Sequence, residues 1–287
     1  MPGDPQRFSP KLTFTRLGQR ASIILTSEGV AGEVIPYVKK ELGVSLAPTQ
    51  VIRCLSGGPR SIAERSISGV LTQGPNGIDL DFQSSPDKQK LYSESGSVLE
   101  SLARVSKGGV VVFFPSYGKM VEFHNAWQKA GVFERLGVPF GRENRGGDSF
   151  KKSLHELASH DKMVFLCSIR YHKDEELAEM VLGQARLVLI MGLPYPFMND
   201  TYEARLAQCG ASSPKDSFMK FLAIDFVNVI IRRCLINEFR FQPCAFFVLD
   251  EGLKKDHEKV FANDRPLVTS FNGNSFGAAL ETYKEVA

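Results

Sequence analysis

The chain has 287 residues, 43% of them hydrophobic and 23% charged, which suits a globular protein with a substantial core and excludes long disorder. A net charge of +3 neither argues for a polyanion partner nor against one, since nucleic-acid binding needs a local basic stripe rather than a total. The five cysteines are widely spaced with no C-x-x-C pair, so a reducing compartment is expected rather than a disulfide framework. The histidines show no metal-ligand spacing, and no metal is expected.

In chain order, the opening Met-Pro-Gly-Asp-Pro is polar and lacks the apolar core of a signal segment. No run approaches the roughly 18 apolar residues of a membrane-spanning helix, and no membrane association is expected. Residues 1–20 read as an N-terminal extension, and residues 21–287 as one domain. Ser22 to Thr26 has the pattern of a short buried strand and Glu28 to Leu42 that of a helix. Gln50 to Leu71 mixes apolar and basic residues, and Gly58-Pro59 and Gly74-Pro75 mark turns. Glu94 to Val105 is a helix candidate through Val98, Leu99, Leu102 and Val105.

Gly109 to Phe114 is a continuous apolar run that stops at Pro115-Ser116-Tyr117, the pattern of a buried parallel strand meeting a surface loop. Val121 to Ala130 then reads as a helix. Phe140 to Asp148, rich in Gly, Arg and Asn, reads as an exposed loop before a helix over Ser149 to Ala158. Its Arg142 and Arg145, with Lys151 and Lys152, are expected to face solvent rather than form a DNA stripe. Met163 to Ser168 and Arg186 to Met191 are further strands, flanking a charged segment from Tyr171 to Leu182. Ser217 to Ile236 is a long helix, apolar nearly all round and therefore buried. Cys244 to Leu249 is a last strand and Ser275 to Glu285 a closing helix. This alternation predicts an α/β fold, a parallel sheet with helices on both faces, whose strand-end loops carry function.

The order and spacing of Thr26 to Gly32, Gly69 to Leu80, Gly109 to Tyr117, Met191 to Arg205 and Val227 to Asp250 resemble the second RecA-like motor domain of XPD-type superfamily 2 DNA helicases. The nearest branches are those of the Fanconi anaemia group J helicase and the regulator of telomere elongation. Phe113-Phe114-Pro115-Ser116-Tyr117, Gly192-Leu193-Pro194-Tyr195-Pro196 with Glu203-Ala204-Arg205, and Gly74-Pro75-Asn76-Gly77-Ile78-Asp79-Leu80 carry the likeness. It implies a RecA-like domain that contacts a DNA backbone through Ser116, Tyr117, Arg170 and Lys173. It also implies a composite ATP site served by Glu176, Glu179, Asn228 and Arg232, with Arg233 as the arginine finger. In the segment from Ile169 to Met180 the family's tight glycine turns are missing, with Leu177 at one of those positions. In the last motif Val229, Arg232 and Ile236 replace the family's Gln, Gly and second Arg.

The sequence contains no G-x-x-x-x-G-K-[ST], no D-E-x-H and no four-cysteine cluster set. ATP and Mg are therefore expected only with a partner motor domain, and unwinding by this chain alone is not expected. The resemblance implies single-stranded DNA or DNA junctions as partners, a protein supplying the first motor domain, a role in DNA repair and a nuclear location. The alternative is a catalytically dead pseudo-helicase that binds nucleic acid or protein.

Overall fold

The computed structural model describes residues 67–144, 159–169, 185–195, 219–220, 223–224, 226–227, 230, 245–254, 269–271 and 276–286. By packing, the chain divides into two compact units. One is Gly57–Pro194 with Phe226–Ala287, and the other Met1–Ser56 with Tyr195–Asp225. The first unit contains the sheet.

Among the described residues that sheet has seven strands: β1 (Ile67–Leu71), β2 (Gly109–Phe114), β3 (Phe140–Arg142), β4 (Val164–Ser168), β5 (Ala185–Met191), β6 (Ala245–Leu249) and β7 (Thr269–Phe271). Their spatial order is β3-β4-β2-β5-β6-β1-β7, and every pairing is parallel. The RecA-like α/β expectation holds. Strands β2, β4 and β6 are buried at every position because both faces are covered, which is why they read as unbroken apolar runs rather than alternating ones.

On one face, Val110, Val112, Phe114, Leu166, Leu187, Leu189 and Phe247 join a core with the helices α1 (Lys88–Val105), α2 (Tyr117–Lys129), α3 (Val132–Leu136) and α4 (Phe276–Val286). On the other face, Val111, Phe113, Phe165, Val188, Ile190, Phe246 and Val248 are equally buried. Within the predicted Ser217 to Ile236 helix, the described residues from Met219 to Ile230 are helical, with Val227 and Ile230 buried.

Some sequence expectations change. The stretch from Phe140, read as an exposed loop, begins with the edge strand β3, paired to β4 from Phe140↔Val164 to Arg142↔Leu166. Consequently Arg142 is half-buried rather than solvated, and its Nη1 is buried without a hydrogen-bond partner. Strands β1 and β7 were not anticipated. Helix α1 starts six residues before the predicted Glu94, because the Asp87 side chain caps it by accepting from the Lys90 N–H at 3.1 Å. Likewise α2 starts at Tyr117 rather than Val121, capped by Ser116. The strand and helix expected over Ser22 to Leu42, and the helix over Ser149 to Ala158, lie outside the described residues.

Helices α1 and α2 are locked by Trp127. Its indole N–H donates to the Tyr92 carbonyl at 2.9 Å, and its ring lies edge-on to Phe123 and Phe133. Gly96 on α1 is what lets the indole in, since a Cβ there would sit 3.2 Å from the indole Cδ1 and Nε1.

Candidate nucleic-acid interface

In a parallel sheet all carboxyl ends share one edge, and ligands bind in the loops there. Strands β2 and β5 are neighbours, with Phe113 paired to Ile190. Ser116 and Leu193 are therefore equivalent positions, each three residues beyond those partners, in two of the segments that the sequence singled out.

The loop after β2 is only Pro115-Ser116. Proline ends the ladder, and Ser116, extended at φ −153° and ψ 160°, accepts the Lys119 N–H on its Oγ at 3.3 Å. Ser116 is exposed. The amino end of α2, where backbone N–H groups and the helix dipole favour an anion, thus opens onto the carboxyl edge. Tyr117 is half-buried and its ring packs against the core beneath.

Around that helix end, Lys119 Nζ lies 3.3 Å and Lys88 Nζ 3.4 Å from the Glu122 carboxylate, which also accepts the Tyr92 hydroxyl in a short hydrogen bond. Burial and the Glu122 carboxylate push the Tyr92 hydroxyl up to about 12. Burial works upward on Glu122 itself, but the bonds from Tyr92 and Lys119 and the nearby Lys88 outweigh it and hold the carboxyl below its usual range. Because the phenol keeps its proton longer in the folded state than in the unfolded one, its contribution to stability is complete below about pH 10 and is lost as pH climbs toward 12. Urea titrations across that range should show wild type losing stability more steeply than Tyr92→Phe; parallel curves would refute the coupling.

The loop after β5 is Gly192-Leu193-Pro194. Gly192 has φ +85°, a region open to glycine at little cost, and a Cβ there would stand 2.8 Å from the Phe82 Cβ. Phe82 in turn stacks on Phe123 of α2 at 5.5 Å between ring centroids, so the loop after β1 bridges the other two. That loop contains the expected turn: the Gly77 N–H donates to the Gly74 carbonyl at 3.1 Å. Buried Glu94 of α1 holds it by accepting both the Asn76 N–H at 2.7 Å and Asn76 Nδ2 at 2.8 Å. At the end of β4, Glu143 accepts the Ser168 N–H at 2.6 Å.

Of the sequence-selected residues, Ser116 and Tyr117 are therefore brought to the carboxyl edge. Arg170, Lys173, Glu176, Glu179, Asn228, Arg232 and Arg233 lie outside the described residues. Sequence reasoning missed the carboxylates Glu94, Glu143 and Asp250 that fix the strand-end loops. The signal for Asp250 was its place directly after an apolar run.

A family model described as "Helicase C-terminal domain" matches residues 99–231, the stretch that holds β2, β4, β5 and the two edge loops. Residues 99–231 are thus similar to helicase C-terminal domains. Similar proteins include the "Regulator of telomere elongation helicase 1" of Rattus norvegicus, 31% identical over 203 residues, covering 66% of this chain and 15% of the relative. The "ATP-dependent DNA helicase DDX11" of Danio rerio is 24% identical over 246 residues, covering 77% of this chain and 27% of the relative. The chain thus spans less than a third of the length of either. Among solved structures, "XPD_Helicase" superposes with a TM-score of 0.54 at 17% identity over 91% of this chain and 45% of that one, which gives the fold. The chain is therefore similar in sequence to these DNA helicases and in fold to the XPD structure. Among the described residues, no helix is long and apolar enough to cross a membrane.

Proposed function

We propose that this chain is the second motor domain of an XPD-type DNA helicase that works in genome maintenance in the nucleus, and that it holds the backbone of single-stranded DNA along the carboxyl edge of its sheet. The observation that carries this reading is the amino end of α2 opening beside the Gly192-Leu193-Pro194 loop. A phosphate there would meet the positive end of the helix dipole, beside the Lys119 N–H that Ser116 caps. The Ser116 hydroxyl and the Tyr117 ring edge flank the same point, and Arg170 and Lys173 would extend the contact past β4.

On the nucleotide side, Arg233 would face the γ-phosphate, with Glu176, Glu179, Asn228 and Arg232 around it. Among the described residues, no group of three or more His, Cys, Asp or Glu side chains could hold a metal ion. A magnesium nucleotide would rest on a partner domain that brings a Walker lysine and acid, since the sequence carries no G-x-x-x-x-G-K-[ST]. When bound, the nucleotide would supply the phosphoryl-transfer energy. This chain's part would be confined to arginine contacts and to the DNA edge.

Fluorescence anisotropy of the purified chain with labelled oligo(dT) across a salt series, with and without ATP, tests the reading. Binding should weaken steeply with salt, be indifferent to ATP, and drop in Ser116→Ala and Tyr117→Ala. The serine variant should also lose about 1 kcal/mol of stability through its cap. No binding at low salt would overturn it. A second reading, a pseudo-helicase binding module, is favoured by Leu177, Val229 and Ile236 at motif positions. Absence of ATPase activity even with a competent first motor domain would select it.

A further inference from the structure

We infer that Asp250 is a positioning residue for the DNA-binding edge, a role that none of the site residues selected from the sequence carries. The inference rests on the DNA-binding reading above. Asp250 is the first residue past β6 and is only 3% exposed. One carboxylate oxygen, Oδ2, accepts the Leu193 N–H of the loop after β5 at 2.7 Å. The other, Oδ1, accepts the Gly252 N–H at 2.8 Å and so shapes the turn that carries the chain out of β6. Its own N–H donates to the Leu71 carbonyl at 3.1 Å, at the end of β1. One buried side chain and its amide therefore join the carboxyl ends of β1, β5 and β6.

The backbone donors of the β5 loop narrow its role. The Gly192 N–H is taken by the Leu249 carbonyl at 2.8 Å, the Leu193 N–H by Asp250, and Pro194 has none. The loop thus offers no backbone N–H to a phosphate. It serves as a wall beside the amino end of α2, where the N–H donors for an anion stand, and Asp250 sets where that wall runs. Replacing the carboxylate by an amide puts an NH2 group or a weaker acceptor opposite a buried N–H, which loosens the loop.

Charge and position then make opposite predictions for Asp250→Asn. Removing a negative charge from a polyanion-binding edge tightens DNA binding on electrostatic grounds alone. Loss of positioning weakens it. The anisotropy titration with oligo(dT) on the full chain should show Asp250→Asn binding about tenfold or more weaker than wild type, with the slope of affinity against salt unchanged because no phosphate contact is lost. Equal or tighter binding by the variant, with wild type binding normally, would overturn the positioning role alone. Wild type failing to bind at all would overturn the DNA-binding reading and this inference with it. Should the variant not fold, hydrogen exchange on wild type decides. A ligand that requires the clamp closed must slow its opening, so saturating oligo(dT) should retard exchange of the Leu193 amide, and an unchanged rate would overturn the inference.

Discussion

Trp127→Ala should destabilise the protein by about 3–5 kcal/mol, the range for removing a fully buried large aromatic. The indole is fully buried and touches Phe114, Phe123 and Phe133. It also satisfies the Tyr92 carbonyl within α1. Its removal opens a cavity between α1, α2 and α3 and deletes a hydrogen bond at once, and the glycine at 96 contributes no side chain to fill the space. Urea denaturation followed by circular dichroism gives the comparison. A loss under about 1 kcal/mol would mean that the packing around Trp127 is not what holds the amino end of α2 in place.

Gly192→Ala should cost about 2–5 kcal/mol, from two additive sources. Holding an L-residue at positive φ costs about 1–2 kcal/mol, and the added methyl meets Phe82 at 2.8 Å, an overpacking worth about 1–3 kcal/mol. Phe82 can yield only by leaving its stack on Phe123, so the disturbance should travel to α2. The companion variant Phe82→Gly removes the steric part, because alanine would keep the Cβ that the new methyl meets at 2.8 Å. If the strain assignment is right, Gly192→Ala placed on a Phe82→Gly background should cost only the backbone share, measured as a double-mutant cycle in urea. Full additivity would rule out the clash.

The strands legible in the sequence were those whose pattern follows from burial on both faces. Val110 to Phe114 and Leu187 to Met191 could hardly be anything else once their ends met Pro115 and Gly192. Strand β1 escaped notice because Ser68 and Gly69 interrupt its apolar character. It is a strand because β6 and β7 pair with it on either side, a fact of tertiary neighbours rather than local preference. Phe-Gly-Arg at β3 reads as loop for the same reason. The starts of α1 and α2 were set by the caps Asp87 and Ser116, whereas periodicity alone placed them too late.

At the functional edge, the motif segments found Ser116, Tyr117 and the β5 loop. The groups that hold those loops did not show, since Glu94, Glu143 and Asp250 reach partners 18, 25 and 57 residues away. No sequence window contains both halves of such a bond.

Strand order also has a temporal side. β1, first among the described strands, has β6 and β7 as its neighbours, the last two. As the chain leaves the ribosome, residues 67–71 must wait for residues 245–249 before any lateral hydrogen bond can form. The central trio β4-β2-β5 finds its partners much sooner. The early strand therefore spends synthesis as an unpaired apolar segment, with a loop of more than a hundred residues to close. Chaperone dependence should accordingly concentrate on the beginning of the sheet, and loss of the β6 segment should release Asp250, β1 and the β5 wall together rather than merely shorten the molecule.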